Sequence, residues 1–282
     1  MKLIEQLPDL GATLDAWRRA GETIALVPTM GNLHDGHLAL VAAARERARR
    51  TVVSLFVNPT QFGPNEDYES YPRTLDADLA ALKQAGCDLV WRPDVATMYP
   101  FDAAFMLRVP DPLADQLCGA SRPGHFDGVA SVVLRLFSQV RPDCAVFGEK
   151  DYQQLVIIRH LVADLFLDID IIGLPTIRES DGLAMSSRNA YLDQDERRRA
   201  PTLHRVLVEM AESLAAGGDF KALHTAALEQ LEAAGFHPDY IEWRTARDLS
   251  PPRPDHPSRL LAAAWLGKAR LIDNVAVGGK TA

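Results

Sequence analysis

Cysteine is scarce in this chain: three residues in 282 (Cys87, Cys118 and Cys144), widely spaced and with no CxxC pair. That pattern excludes a zinc ribbon, argues against a disulfide framework, and fits thiols kept reduced. Long apolar runs are missing as well. The longest strongly apolar stretch, Leu260 to Leu266, falls far short of the ~20 residues that span a bilayer. Residues 1–8 lack the extended apolar core of a signal peptide, so a cytoplasmic protein with no membrane partner is expected. Basic residues are outnumbered 30 to 38, giving a net charge of −8. This balance disfavours a nucleic-acid partner and still allows a local basic site. Among the cations lysine is the rare one, six against 24 arginines. Repeats and low-complexity segments are absent. What is present is ordinary for a globular protein: 47% hydrophobic, 24% charged and 7% aromatic residues. A length prior of about 150 residues per domain suggests two domains.

The pattern along the chain alternates. A helix is expected over 14–20, stopped by Gly21, then a buried strand over 23–28 and a helix over 37–50 whose last turns carry Arg45, Arg47, Arg49 and Arg50. A second continuous apolar strand follows over 51–57. Strand, helix, strand without a hairpin signal makes a βαβ unit with parallel strands. The theme recurs as helix 75–85, strand 88–91, helix 129–140, strand 144–147, helix 152–165 and strand 169–174. Such alternation predicts an α/β fold, a Rossmann-like doubly wound parallel sheet with ligands beyond the carboxyl ends of its strands. Beyond residue 192 the composition changes. Helices are expected over 193–216 and 219–234 and strands over 240–244, 259–266 and 269–277. The division is therefore 1–177 for the Rossmann-like domain and 178–282 for a smaller C-terminal α+β domain.

The sharpest chemical signal is Pro28-Thr29-Met30-Gly31-Asn32-Leu33-His34-Asp35-Gly36-His37. A strand runs into a tight turn, and Gly31 and Gly36 allow a ligand close to the backbone. Asp35 is the expected N-cap, which puts His37 in the first helical turn. A helix N-terminus there offers free N–H groups and positive potential to a phosphate, and two imidazoles three residues apart can donate to its oxygens. Gln61 follows a strand and a rigid Asn58-Pro59 turn; its neutral amide can both donate and accept, and it would not compete as a nucleophile. Gln154, in the first turns of a helix, can meet it across adjacent strand ends. Lys150, just past a buried strand, is a mobile point charge suited to a polyphosphate. Asp151 beside it can accept hydrogen bonds, and Gly148 lets a ligand approach the backbone. Ser186, Ser187 and Arg188 supply two hydroxyls and a guanidinium for further phosphates. Arg122 and His125 read equally as anion-facing or structural residues. The acidic clusters Glu66-Asp67 and Asp76–Asp78 could assist Mg²⁺ or an amine but read better as a solvated helix start; Mg²⁺ usually keeps waters and binds through phosphates, so no protein metal ligand is assigned.

The decapeptide resembles the HxGH signature of the nucleotidyltransferase superfamily and, more narrowly, that of the pantoate–β-alanine ligase (pantothenate synthetase) family. The resemblance extends through Phe56-Val57-Asn58-Pro59-Thr60-Gln61-Phe62, Tyr71-Pro72-Arg73-Thr74, Arg122-Pro123-Gly124-His125-Phe126-Asp127-Gly128-Val129, Phe147-Gly148-Glu149-Lys150-Asp151-Tyr152-Gln153-Gln154-Leu155 and Met185-Ser186-Ser187-Arg188-Asn189. It reaches Ala262-Ala263-Ala264-Trp265-Leu266-Gly267 and Leu271-Ile272-Asp273-Asn274. Departures are mild: Arg135 stands where many members have lysine and Ser131 where many have threonine.

The resemblance implies ATP-dependent condensation of pantoate with β-alanine through a pantoyl adenylate, releasing AMP and pyrophosphate. It implies pantoate held by Gln61 and Gln154, β-alanine touched by Gln61, and catalysis by His34, His37, Lys150, Ser186, Ser187 and Arg188. ATP contacts are implied for Met30, Gly31, Asn32, Leu33, His34, Asp35, Gly36, His37, Gly148, Glu149, Lys150, Asp151, Ile177 and Met185 to Arg188. Mg²⁺ accompanying ATP and a homodimer are implied in the same way. Three rivals share part of the pattern. A class I tRNA synthetase would need an RNA-binding face, a dinucleotide-forming adenylyltransferase would keep AMP in its product, and a nucleotide sensor would not need paired glutamines.

Overall fold

The computed structural model describes residues 1–64, 66, 68–101 and 103–278. In chain order its elements are β1 (Lys2–Ile4), α1 (Leu7–Arg19), β2 (Ile24–Thr29), α2 (Asp35–Arg47), β3 (Arg50–Leu55), α3 (Leu75–Gln84), β4 (Leu89–Trp91), α4 (Val95–Met98), α5 (Asp111–Ala114), α6 (His125–Val140), β5 (Cys144–Gly148), α7 (Tyr152–Asp164), β6 (Asp170–Leu174), α8 (Gln194–Arg199), α9 (Thr202–Ala215), α10 (Phe220–Ala233), β7 (His237–Thr245), β8 (Ser258–Leu266) and β9 (Ala269–Val277). Six strands form a parallel sheet in the order β1-β4-β3-β2-β5-β6, and three form an antiparallel sheet in the order β7-β8-β9.

The unbroken apolar runs in the central strands follow from burial on both faces. In β2, Ile24 and Leu26 join one core, with Leu10 and Leu14 of α1 and the apolar side of α6, while Ala25 and Val27 join another, with Leu40, Val41 and Ala44 of α2. β5 divides the same way, Ala145 and Phe147 to the first core and Cys144 and Val146 to the second. A third core lies between the antiparallel sheet and α9 and α10, around Leu207, Leu231, Leu260 and Ala264. No helix among the described residues is long and apolar enough to cross a membrane.

Several expected boundaries shift for identifiable reasons. Helix α1 begins at Leu7 rather than 14, because Pro8 sits in the first turn, where its missing N–H costs nothing. Helix α2 ends at Arg47, and Arg50 already pairs in β3. Helix α6 starts four residues early, at His125. The single helix expected over 193–216 is two, α8 and α9, separated at Ala200 and Pro201. Strand β1 was not expected at all: three residues on a sheet edge carry too little pattern to read.

Candidate active site

Strand order locates the site. β2 lies between β3 and β5, so the chain reverses its direction of winding there, and a crevice opens beyond the carboxyl ends of these strands. A cavity of about 250 Å³ occupies it. Met30, His34, Gly36 and His37 line it from the β2 side, Asn58 and Gln61 from beyond β3, Gly148, Lys150, Asp151 and Gln154 from β5 and α7, and Ile177, Met185, Ser186, Ser187 and Arg188 from beyond β6. Gly31, Asn32, Leu33, Asp35 and Glu149, implied as ATP contacts, are not among the side chains lining it. The first four build the turn behind His34, and Glu149 faces the antiparallel sheet.

The turn after β2 is held from below. The Thr29 hydroxyl donates to the Ser54 carbonyl (2.7 Å) and accepts the Gly31 N–H (3.3 Å). Gly31 has φ +85°, and a Cβ there would meet Asp78 Oδ2 at 3.0 Å. That carboxylate accepts the N–H groups of Asn32 (3.0 Å) and Leu33 (2.8 Å) and the Thr74 hydroxyl (3.2 Å). Asp78 is only 4% exposed, so the solvated helix start expected over Asp76–Asp78 is corrected. At Asp78 the acid is buried and fixes the turn. Asp67, read with Glu66, lies outside the described residues.

His34, not Asp35, occupies the N-cap position, and Asp35 begins α2. The His34 N–H donates to Nδ1 of His37 at 3.3 Å. An imidazole that accepts at Nδ1 carries its proton on Nε2, leaving that N–H for a ligand. The two rings lie 4.1 Å apart, tilted by 40°. Gly36 makes this possible, since a Cβ at that position would come within 2.9 Å of Cε1 and Nδ1 of His34. Burial, with help from His34 and Lys150, pushes His37 down to about 3. Burial and Lys150 lower His34 as well. Both rings are therefore neutral donors at neutral pH.

Gln61 is placed by a buried hub. Asn58, 1% exposed, donates from Nδ2 to Gln61 Oε1 (3.1 Å) and to the Gly128 carbonyl (3.2 Å), while its Oδ1 accepts from Tyr99 (2.7 Å) and Thr60 (3.1 Å). Gly128 brings α6 against the loop: a Cβ there would lie 2.3 Å from the Thr60 carbonyl oxygen. His125 Nδ1 donates to the Gln61 carbonyl (2.8 Å), and Arg122 donates to His125 Nε2 (2.9 Å) and to both oxygens of Glu66. Burial first, then Arg122, lowers His125 to about 4. Arg122 and His125 thus fasten the Gln61 main chain as well as lining the cavity. The sequence left this role open, and it gave Asp78 no part in holding the turn. Arg135 and Ser131 are turned to other work: Arg135 binds the carbonyls of Met98, Ser131 and Phe105, and Ser131 Oγ accepts the Leu107 N–H.

The cavity is electropositive. Asp151 is its acidic side chain among the described residues, against Arg122, Lys150 and Arg188. Lys150 Nζ lies 3.6 Å from the Asp151 carboxylate. Desolvation in the cleft raises the Asp151 pKa, but Lys150 and Arg188 outweigh it and hold the group below the usual carboxylate range. Ser186 caps the 187–191 turn, its Oγ accepting the Arg188 N–H at 3.3 Å. A larger cleft of about 680 Å³ continues from this cavity between the two sheets, with Lys150, Gln154 and Ser186 on one side and Tyr240, Trp265 and Asn274 on the other.

A family model for pantoate-beta-alanine ligase matches residues 2–276. The chain belongs to the pantoate–β-alanine ligase family. Pantothenate synthetase from Thioalkalivibrio sulfidiphilus is 55% identical over 280 residues, covering 98% of each chain. The crystal structure of the Thermus thermophilus pantothenate synthetase superposes with a TM-score of 0.93 at 45% identity, covering 99% of this chain and all of the other. The Francisella tularensis pantoate–β-alanine ligase, complexed with beta-gamma ATP and β-alanine, superposes with a TM-score of 0.84 at 31% identity over the full length of both. In this chain the sheet architecture shared with those structures brings His34, His37, Gln61 and Gln154 around one crevice.

Proposed function

We infer that this family member is the ATP-dependent ligase that joins pantoate to β-alanine, giving pantothenate, AMP and pyrophosphate through pantoyl adenylate. The observation that carries the reading is the convergence, on one cavity at the β2–β5 crevice, of two neutral imidazole donors, a lysine and two neutral amides. In the first step a pantoate carboxylate oxygen attacks the α-phosphorus of ATP and pyrophosphate leaves. In the second the β-alanine amine attacks the acyl carbon, the C–O bond to AMP breaks, and the nitrogen loses its proton. No side chain is covalently modified.

Positioning and electrostatics supply what such transfers need. Gln61 and Gln154 orient pantoate, and on family resemblance Gln61 meets β-alanine as well. His34 and His37 donate to the α-phosphoryl group as charge builds on its oxygens. Lys150, Ser186, Ser187 and Arg188 receive the β- and γ-phosphates, and Asp151 takes a ribose hydroxyl. Mg²⁺ is part of the reading as a companion of ATP that neutralises phosphate charge. Mg²⁺ usually keeps its waters and binds through substrate phosphates, so the phosphates would hold the ion and no side chain is assigned to it. A division at 177/178 makes the C-terminal part a lid that brings the 185–188 loop over ATP. Cytoplasmic residence, expected from the sparse thiols and from residues 1–8, and a homodimer, implied by family resemblance, complete the reading.

The test is product analysis with ATP, pantoate and β-alanine. AMP and pantothenate should form in equal amounts, dependent on β-alanine and without tRNA. A product retaining AMP, or no pantothenate, would refute it.

A further inference from the structure

Lys150 sits on a single turn of 3-10 helix, Glu149–Asp151, between β5 and α7. So short a turn has little internal means of fixing its own carbonyls. The antiparallel sheet fixes them. Asn274 of β9, 3% exposed, donates from one Nδ2 to the carbonyl oxygens of both Glu149 (2.9 Å) and Lys150 (3.0 Å). Its Oδ1 accepts from Arg259 of β8. Arg259 in turn donates to the Glu149 carboxylate (2.9 Å) and lies 4.1 Å over the Tyr152 ring at the start of α7.

The neighbouring residue repeats the device on the next loop. Asp273 accepts from both terminal nitrogens of Arg178 (2.7 and 2.8 Å) and holds its own neighbour's N–H at 2.7 Å. Arg178 also binds the Gly182 carbonyl (3.1 Å) and bridges to Ala184, the residue before Met185. Two adjacent residues of β9 thus hold the bases of the two segments that carry Lys150 and Ser186 to Arg188.

We propose that Asn274, supported by Arg259, is the positioning residue for Lys150, so that the C-terminal sheet sets where the phosphate-binding ammonium stands. Asparagine suits the task because its Nδ2 supplies two protons to two carbonyls, whereas an isosteric carboxylate has none to give. Both ends of the Asn274 amide are engaged, with Arg259 and with the two turn carbonyls, so it acts through the turn. The proposal rests on the assignment of Lys150 to the phosphates.

Its test is pantoate-dependent ATP–pyrophosphate exchange. Asn274→Ala should lower exchange by about 10–100-fold, the scale of loss when a group is displaced by about 1 Å. The pantoate KM should stay within about twofold of wild type, because Gln61 is held by Asn58 and Gln154 stands in α7, beyond the turn that Asn274 fixes. Asn274→Asp, equal in shape, should fall at least as far as Asn274→Ala; a packing role would make it the milder change. In a Lys150→Ala background, Asn274→Ala should add little, whereas losses that multiply would overturn the proposal. So would near wild-type exchange in Asn274→Asp. Wild-type exchange in Lys150→Ala itself would overturn the phosphate assignment and the proposal with it. Arg259→Ala, which leaves Asn274 in place, should give a smaller loss of the same kind, and it carries the test if Asn274→Ala lowers the yield of folded protein.

Discussion

Holding His37 neutral inside the cavity ties the stability of the fold to pH, in a direction that can be fixed beforehand. An imidazole in the unfolded chain titrates near 6.5, while native His37 is pushed down to about 3. Between those values the unfolded state binds a proton that the native state refuses, so stability is full above pH 6.5 and falls as pH drops below it. At pH 5 the unfolded imidazole is almost wholly protonated, and the loss relative to pH 7 comes to about 2 kcal/mol. Because the native value lies well below 5, the unfolded imidazole sets the size of that loss. His125, lowered to about 4, adds about as much in the same sense. The carboxylates held low by their partners, Asp151 by Lys150 and Arg188 and Asp273 by His204 and Arg178, lose their own contribution only as pH falls through and below the ordinary carboxylate range. The interval from pH 7 to 5 therefore isolates the imidazoles. His37→Asn keeps an acceptor for the His34 N–H and removes the titrating ring. Urea unfolding at pH 7 and pH 5 should show a pH-dependent loss smaller by about 2 kcal/mol in His37→Asn than in wild type. Equal losses in the two proteins would mean that native His37 titrates normally, and the neutral-donor account of the HxGH turn would fail.

Three further outcomes follow from the site. Gln61→Ala or Gln154→Ala should raise the pantoate KM or lower kcat by about 0.5–1.5 kcal/mol equivalent, with ATP binding in the absence of pantoate unchanged; parallel loss of ATP binding would contradict the placement. His37→Ala should lower ATP–pyrophosphate exchange by about 10²–10³ and spare β-alanine transfer from preformed pantoyl adenylate; surviving exchange with collapsed transfer would move His37 to the second step. Gly128→Ala, whose Cβ would lie 2.3 Å from the Thr60 carbonyl oxygen, should force α6 and the Gln61 loop apart. That displacement should cost about 1–3 kcal/mol of stability and a larger share of pantoate turnover than of ATP binding, and unchanged pantoate kinetics would show that the loop yields freely.

What could be read from the sequence was whatever depends on near neighbours in the chain. The doubly wound sheet announced itself because β2, β3 and β5 are apolar at consecutive positions, which only burial on both faces requires. The HxGH turn was legible because both histidines, Gly36 and the flanking strand fall within one short segment. Its inner geometry was harder to read. Asp35 looked the better cap by residue type, yet the His34 main chain meets the His37 ring, and that arrangement puts His34 at the cap instead. Asp78 and Asn274 were illegible for a stronger reason. Each serves a loop brought to it only by folding: Asp78 the N–H groups of Asn32 and Leu33, Asn274 the carbonyls of Glu149 and Lys150. An acid in a helix's first turn and an asparagine on a strand have common surface explanations, and burial alone removes them. The side chains expected to meet substrate were therefore visible in short motifs, whereas those that hold the motifs in register emerged only from the packing of one sheet against the loops of the other.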